Sequence, residues 1–149
     1  MKIAFCFPGQ GSLESGMGRD IAQSSASARE VYRLGSEASG LDLERLCFDT
    51  PLEDMVETEV QQPALVATSL AILAAMRERG LEPDVVVGHS VGEFAALAAA
   101  GALQTGEDIG LVRERGLAMT EAARARHRTM AAILGLDDEE NEKHFRKND

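Results

Sequence analysis

The residues best placed to do chemistry in this chain lie in "VVVGHSVGEFAAL", Val85 to Leu97. A short apolar run meets Gly88-His89-Ser90-Val91-Gly92, and an alanine-rich helical pattern follows. G-x-S-x-G between a strand and a helix predicts a nucleophilic serine on a sharp turn, its Oγ strained and exposed. The flanking glycines are expected because neighbouring backbone passes close. The Val91 N–H, at the positive end of the following helix, is a candidate oxyanion donor. A glycine-rich turn without chemistry is the plain alternative, and the strand and helix around it favour the nucleophile. His89 is expected to be structural, because adjacent side chains diverge at such a turn. His127 in "RARHR" reads as part of a solvated basic loop, and His144 as a surface residue of a polar tail.

A serine site of this kind takes a second oxyanion donor from a loop after another strand. "FPGQGS", Phe7 to Ser12, is the candidate, with Gly9, Gln10 and Gly11 at its centre. Such a loop alone also turns or cradles phosphate, but it lacks the Lys-Ser/Thr ending of a P-loop.

The elements that must hold these pieces follow from the rest of the pattern. "IAFCF", Ile3 to Phe7, and "DVVVG" read as strands buried on both faces of a parallel sheet. Cys6, inside the first, reads as a small buried thiol. Ser27 with Glu30 predicts a capping box before a helix ending near Gly40. Thr50, Pro51 and Glu53 predict a short helix. Pro63 is expected to open a long helix closed by Gly80. "EFAALAAAGAL" is a helix, and Thr105 with Asp108 is expected to cap the next, "EDIGLVRERGLAMTEAARAR". "TMAAILGL" is a third strand candidate before an acidic helix start, "DDEE". Strands alternating with helices predict an α/β fold with a parallel sheet.

Composition narrows the function classes. The 149 residues suffice for one domain with a sizeable core. A formal net charge of -10 argues against nucleic acid as a partner. Cysteine occurs twice with no metal-ligand spacing, so no metal site is expected. The N-terminal apolar run is too short for a signal peptide or membrane span. A soluble, reduced, cytoplasmic protein is the expectation, with no membrane partner. The polar ending "NEKHFRKND" stops without a terminating element, so the chain reads as the beginning of something longer.

"FPGQGS", "QQPAL", "GHSVGEFAAL" and "RGLAM" together, in this order and spacing, resemble the malonyl-CoA:acyl carrier protein transacylases of fatty acid synthesis and the acyltransferase domains of polyketide synthases. The resemblance runs to about Glu140. Beginning with the first strand, the chain resembles the stand-alone enzyme. The resemblance implies an α/β-hydrolase-like core with helices on both faces, here residues 1–126. Residues 127–149 would begin a small ferredoxin-like subdomain with the strand "TMAAILGL". It implies Ser90 as the nucleophile acylated by malonyl-CoA and deacylated by the phosphopantetheine thiol of acyl carrier protein, with no bound cofactor. Backbone N–H groups of Gln10 and Val91 would form the oxyanion hole, with Gly9, Gly11 and His89 beside the substrate. Arg115 of "RGLAM" would hold the malonyl carboxylate.

A guanidinium suits that role because it grips a carboxylate with two parallel hydrogen bonds. Helical periodicity does not choose between Arg115 and Arg113, which lie on opposite edges of an apolar face of Ile109, Val112, Gly116, Met119 and Ala123. Gln62 of "QQPAL" is either near the site or a cap before Pro63. Arg124, Arg126 and Arg128 either meet CoA phosphates and acidic acyl carrier protein or form a solvated helix end. Val91 after the nucleophile is similar to malonyl-preferring members; methylmalonyl-preferring ones often carry Gln there. Leu13 departs from the usual Gln. The family's catalytic His belongs to a Gly-x-x-His-type segment beyond this chain. Two other readings stand beside the transferase: a serine hydrolase of α/β-hydrolase type, and a non-catalytic fragment that binds acyl carrier protein or a complementing C-terminal half.

Overall fold

Both expected apolar strands form. The computed structural model describes residues 2–126 and Gly135. In it β1 (Ala4–Phe7) pairs parallel with β2 (Val85–Gly88), Ala4 opposite Val85 and Phe7 opposite Gly88. Between the strands run α1 (Arg19–Ser24), α2 (Ala26–Ser39), α3 (Leu43–Asp49), a 3-10 turn at Leu52–Asp54, and α4 (Thr58–Glu78). After β2 come α5 (Gly92–Ala99) and α6 (Thr105–Arg126). The fold is α/β with a small parallel sheet, as the alternating pattern predicts. The strand expected at "TMAAILGL", the helix start "DDEE", and His127, Arg128 and His144 lie outside the described residues.

The sheet corrects one expectation. Alternation along the strands puts Phe5, Phe7 and Val86 on one face and Ala4, Cys6, Val85 and Val87 on the other. Phe7 is buried, and Phe5 and Val86 pack against the core. The opposite face is open, with Val85 52% and Val87 49% exposed. Among the described residues, then, the strands are not buried on both faces and helices cover one face only. An apolar run states what a strand tolerates; whether a second layer arrives is decided by tertiary structure. Cys6 lies exposed on that open face, and Cys47 is the buried thiol.

α4 carries the core. It is long and apolar enough to cross a membrane, but most of its apolar stretch is buried inside the molecule, where α2, α5 and α6 pack against it. A polar thread crosses this core: the Tyr32 hydroxyl donates to Thr68 Oγ1 at 3.1 Å, Thr68 donates to Cys47 Sγ at 3.5 Å, and Cys47 donates to the Ala64 carbonyl at 3.6 Å. Burial pushes the Cys47 thiol up to about 11 and the Tyr32 phenol further above its ordinary value.

The helix ends differ from their sequence signals. Ser25, not Ser27, caps α2, accepting from the Ala28 N–H at 3.1 Å. Ser27 is taken by Glu78 at the end of α4, which accepts from its N–H at 3.0 Å and its hydroxyl at 2.6 Å. Glu30 instead pairs with Arg33 at 2.6 Å. The expected helix after Thr50-Pro51 is only the 3-10 turn. α6 begins at Thr105 itself, and the buried Asp108 carboxylate finds no hydrogen-bond partner among the described residues, so the expected cap is absent there. Pro63 lies inside α4, five residues after its start at Thr58. α1 and α3 carry no signal that the periodicity reading caught. Gly40 and Gly80 end their helices as expected, with φ of 69° and 75°.

Candidate active site

The serine turn is built by close backbone contact. Ser90 has φ of 53°, the one non-glycine positive φ among the described residues. A left-handed serine is strained by roughly 1 kcal/mol or more, so its surroundings must impose it. They do. The His89 N–H donates to the Phe7 carbonyl at 3.0 Å, tying the turn to β1. A Cβ on Gly88 would lie 2.3 Å from the Gly92 carbonyl oxygen, and one on Gly92 would lie 2.4 Å from the Phe7 and Pro8 oxygens. Neither site has room for a side chain. α5 starts immediately, with the Gly92 N–H donating to His89 O at 2.9 Å and the Glu93 N–H to Ser90 O at 3.1 Å. Ser90 itself is exposed, while Val91 is buried.

The glycine-rich loop lies against this turn. A Cβ on Gly9 would fall 2.5 Å from His89 Nδ1 and 3.0 Å from His89 O, so the imidazole is packed on the loop backbone. The Ser12 N–H donates to Gly9 O at 3.3 Å across the loop, and Gly11 takes φ of 96°. Among the described residues, neither the Gln10 N–H nor the Val91 N–H donates to an acceptor.

The two arginines that periodicity could not separate are separated here. Pro63 has no N–H, so the helical hydrogen bond to the Glu59 carbonyl, four residues back, cannot form. The Arg113 guanidinium fills that gap, donating from Nη1 to Glu59 O. Arg115 points elsewhere. Its Nη1 donates to Gln62 Oε1 at 2.5 Å, and its guanidinium carbon stands 5.8 Å from the Phe94 ring centroid. Phe94 is on α5, the helix that Ser90 precedes, so one contact couples Arg115 to the serine turn. Gln62 is 1% exposed and also donates from Nε2 to Gln10 Oε1 at 2.9 Å. Ser90, Val91, Gln10, Gln62 and Arg115 thus fall within one connected set of contacts. Gln62 is buried inside α4 and does not cap it. Phe94 was missed by sequence reasoning; its helical position one turn after Ser90 was the available signal. Of the apolar face expected on α6, Ile109, Val112 and Gly116 are buried, while Met119 and Ala123 are exposed. Arg124 is exposed too.

The site therefore joins a serine held in a left-handed conformation to an arginine, one helix contact away through Phe94, that makes no ion pair among the described residues. The chain belongs to the acyl transferase domain family, which it matches over residues 4–149. It is 44% identical over 138 residues to the malonyl CoA-acyl carrier protein transacylase of Bacillus subtilis (strain 168), covering 93% of this chain and 44% of that protein. A crystal structure of the acyl-carrier-protein-S-malonyltransferase from Bartonella henselae superimposes with a TM-score of 0.82 at 35% identity, covering 96% of this chain and 47% of the other. A type II PKS acyl-carrier protein in complex with its malonyl-transacylase also matches, with a TM-score of 0.82 and 34% identity over 99% of this chain and 48% of that one. The family resemblance carried by the motifs is borne out. The chain spans a little under half the length of the curated relatives it matches.

Proposed function

We propose that this chain serves in the transfer of a malonyl group from malonyl-CoA to the phosphopantetheine thiol of acyl carrier protein, in fatty acid synthesis. Ser90 Oγ attacks the thioester carbonyl carbon while its proton passes to a base, the carbon–sulfur bond breaks, and CoA leaves as the thiol. The phosphopantetheine sulfur then attacks the malonyl-serine ester and restores Ser90. The N–H groups of Gln10 and Val91 stabilise the oxyanion in both steps. Arg115 binds the free carboxylate of the malonyl group. The general base is assigned to the family's Gly-x-x-His segment, which is not part of this chain, because His89 is turned against Gly9. Residues 1–126 are read as part of an α/β-hydrolase-like core and 127–149 as the start of a ferredoxin-like subdomain. The proposed transfer needs no bound cofactor, and the free thiols Cys6 and Cys47 suit a reducing cytoplasm.

The observation that carries this reading is the left-handed Ser90 coupled through Phe94 to an arginine free of any described carboxylate. Intact-protein mass spectrometry after incubation with malonyl-CoA tests it. A malonyl adduct lost in Ser90→Ala, and formed in preference to acetyl, is expected when a polypeptide carrying the Gly-x-x-His segment supplies the base. Hydrolysis of p-nitrophenyl acetate with no malonyl preference would favour a serine hydrolase. A folded chain that gains no adduct but co-purifies with a polypeptide carrying Gly-x-x-His would identify the non-catalytic, complementing fragment.

A further inference from the structure

Gln62 is a fully buried amide with each end of its side chain engaged. Oε1 accepts from Arg115, Nε2 donates to Gln10 Oε1, and Met119 Sδ stands 3.7 Å from the same nitrogen. The orientation is forced. A guanidinium can only donate, so the atom facing Arg115 is the oxygen. The nitrogen therefore faces Gln10, which turns its own oxygen toward Gln62 and its own nitrogen toward Thr58 Oγ1 at 3.4 Å. One direction of donation runs from Arg115 through α4 to the glycine-rich loop.

The choice of an amide has an electrostatic consequence. Glutamate is nearly the same shape and would accept from Arg115 more strongly. It would also neutralise the arginine in a partly buried place and turn an acceptor toward Gln10 Oε1. Glutamine fixes the guanidinium while leaving its charge uncompensated. We propose that Gln62 is a positioning residue that sets charge specificity: it aims Arg115 and keeps it available for an anionic acyl group, while holding the Gln10 loop in register with it. This deepens the proposed function and rests on its assignment of Arg115.

The test is equilibrium dialysis of the full chain against labelled malonyl-CoA and acetyl-CoA. The wild type, Arg115→Ala, Gln62→Glu and Gln62→Met are compared. The wild type should prefer malonyl-CoA, and Arg115→Ala should abolish the preference. Gln62→Glu should weaken malonyl-CoA binding roughly tenfold or more while acetyl-CoA binding stays within about twofold. Gln62→Met, which loosens the arginine without adding charge, should lose less of the preference than Gln62→Glu. A Gln62→Glu variant that keeps the wild-type preference, or loses both ligands in equal proportion, overturns the inference while the Arg115 assignment stands. A wild type with no preference overturns that assignment and the inference with it.

Discussion

Ser90 holds a conformation that glycine would adopt without strain. Ser90→Gly is therefore expected to stabilise the fold by about 1 kcal/mol relative to Ser90→Ala, although both remove the hydroxyl. Urea denaturation of the two variants checks this, and equal midpoints would deny the strain. A second residue stores cost in another form. Asp108 is buried without a partner among the described residues, and burial alone pushes its carboxyl from 3.8 up to about 6. A raised acid pKa means that the folded state holds the proton more tightly than the unfolded state. Stability should then fall as pH rises from about 4 to about 6, by roughly 3 kcal/mol at most, and stay low above that. Asp108→Asn should flatten this slope and raise the melting temperature at pH 7, as thermal melts across the range would record. Glu78 runs the opposite way. Its hydrogen bonds from Ser25 and Ser27 hold it down to about 2, so its contribution is present at neutral pH and lost in acid.

Between elements, the joint of α4 and α6 rests on Pro63 and Arg113. Arg113→Met should cost about 1–2 kcal/mol by leaving the Glu59 carbonyl without its donor. Pro63→Ala restores a backbone N–H for that carbonyl, so Arg113→Met should cost less in a Pro63→Ala background. A double-mutant cycle measures the coupling, and strict additivity would sink it. This joint also marks where sequence reading ended. The serine turn, the glycine loop and the helix ends at Gly40 and Gly80 were legible because each is written in adjacent residues. The cap of α2 was not, because its arrangement depends on Glu78, 51 residues from Ser27. Periodicity saw Arg113 and Arg115 as equivalent edges. What distinguishes them is a hydrogen bond that a proline on another helix cannot make. The family motif selected Arg115 without that reason.

Across the whole molecule, the two cysteines report on the two environments. Cys6 stands on the open sheet face and Cys47 in the core, its thiol pushed up to about 11 by burial. A disulfide reagent at neutral pH should titrate one thiol rapidly in the native protein and a second only on unfolding. Protection of both would mean that the open face is covered in solution. The sheet also has a history in time. Its two strands pair Ala4 with Val85, and most of the intervening chain is helix. Closing so long a loop is entropically expensive and slow, whereas helices form from neighbours within microseconds. On refolding, helical signal should return first, and the His89 amide, bonded to Phe7, should gain protection from exchange last. The serine turn hangs on that final bond, so the candidate site is the youngest part of each newly folded molecule.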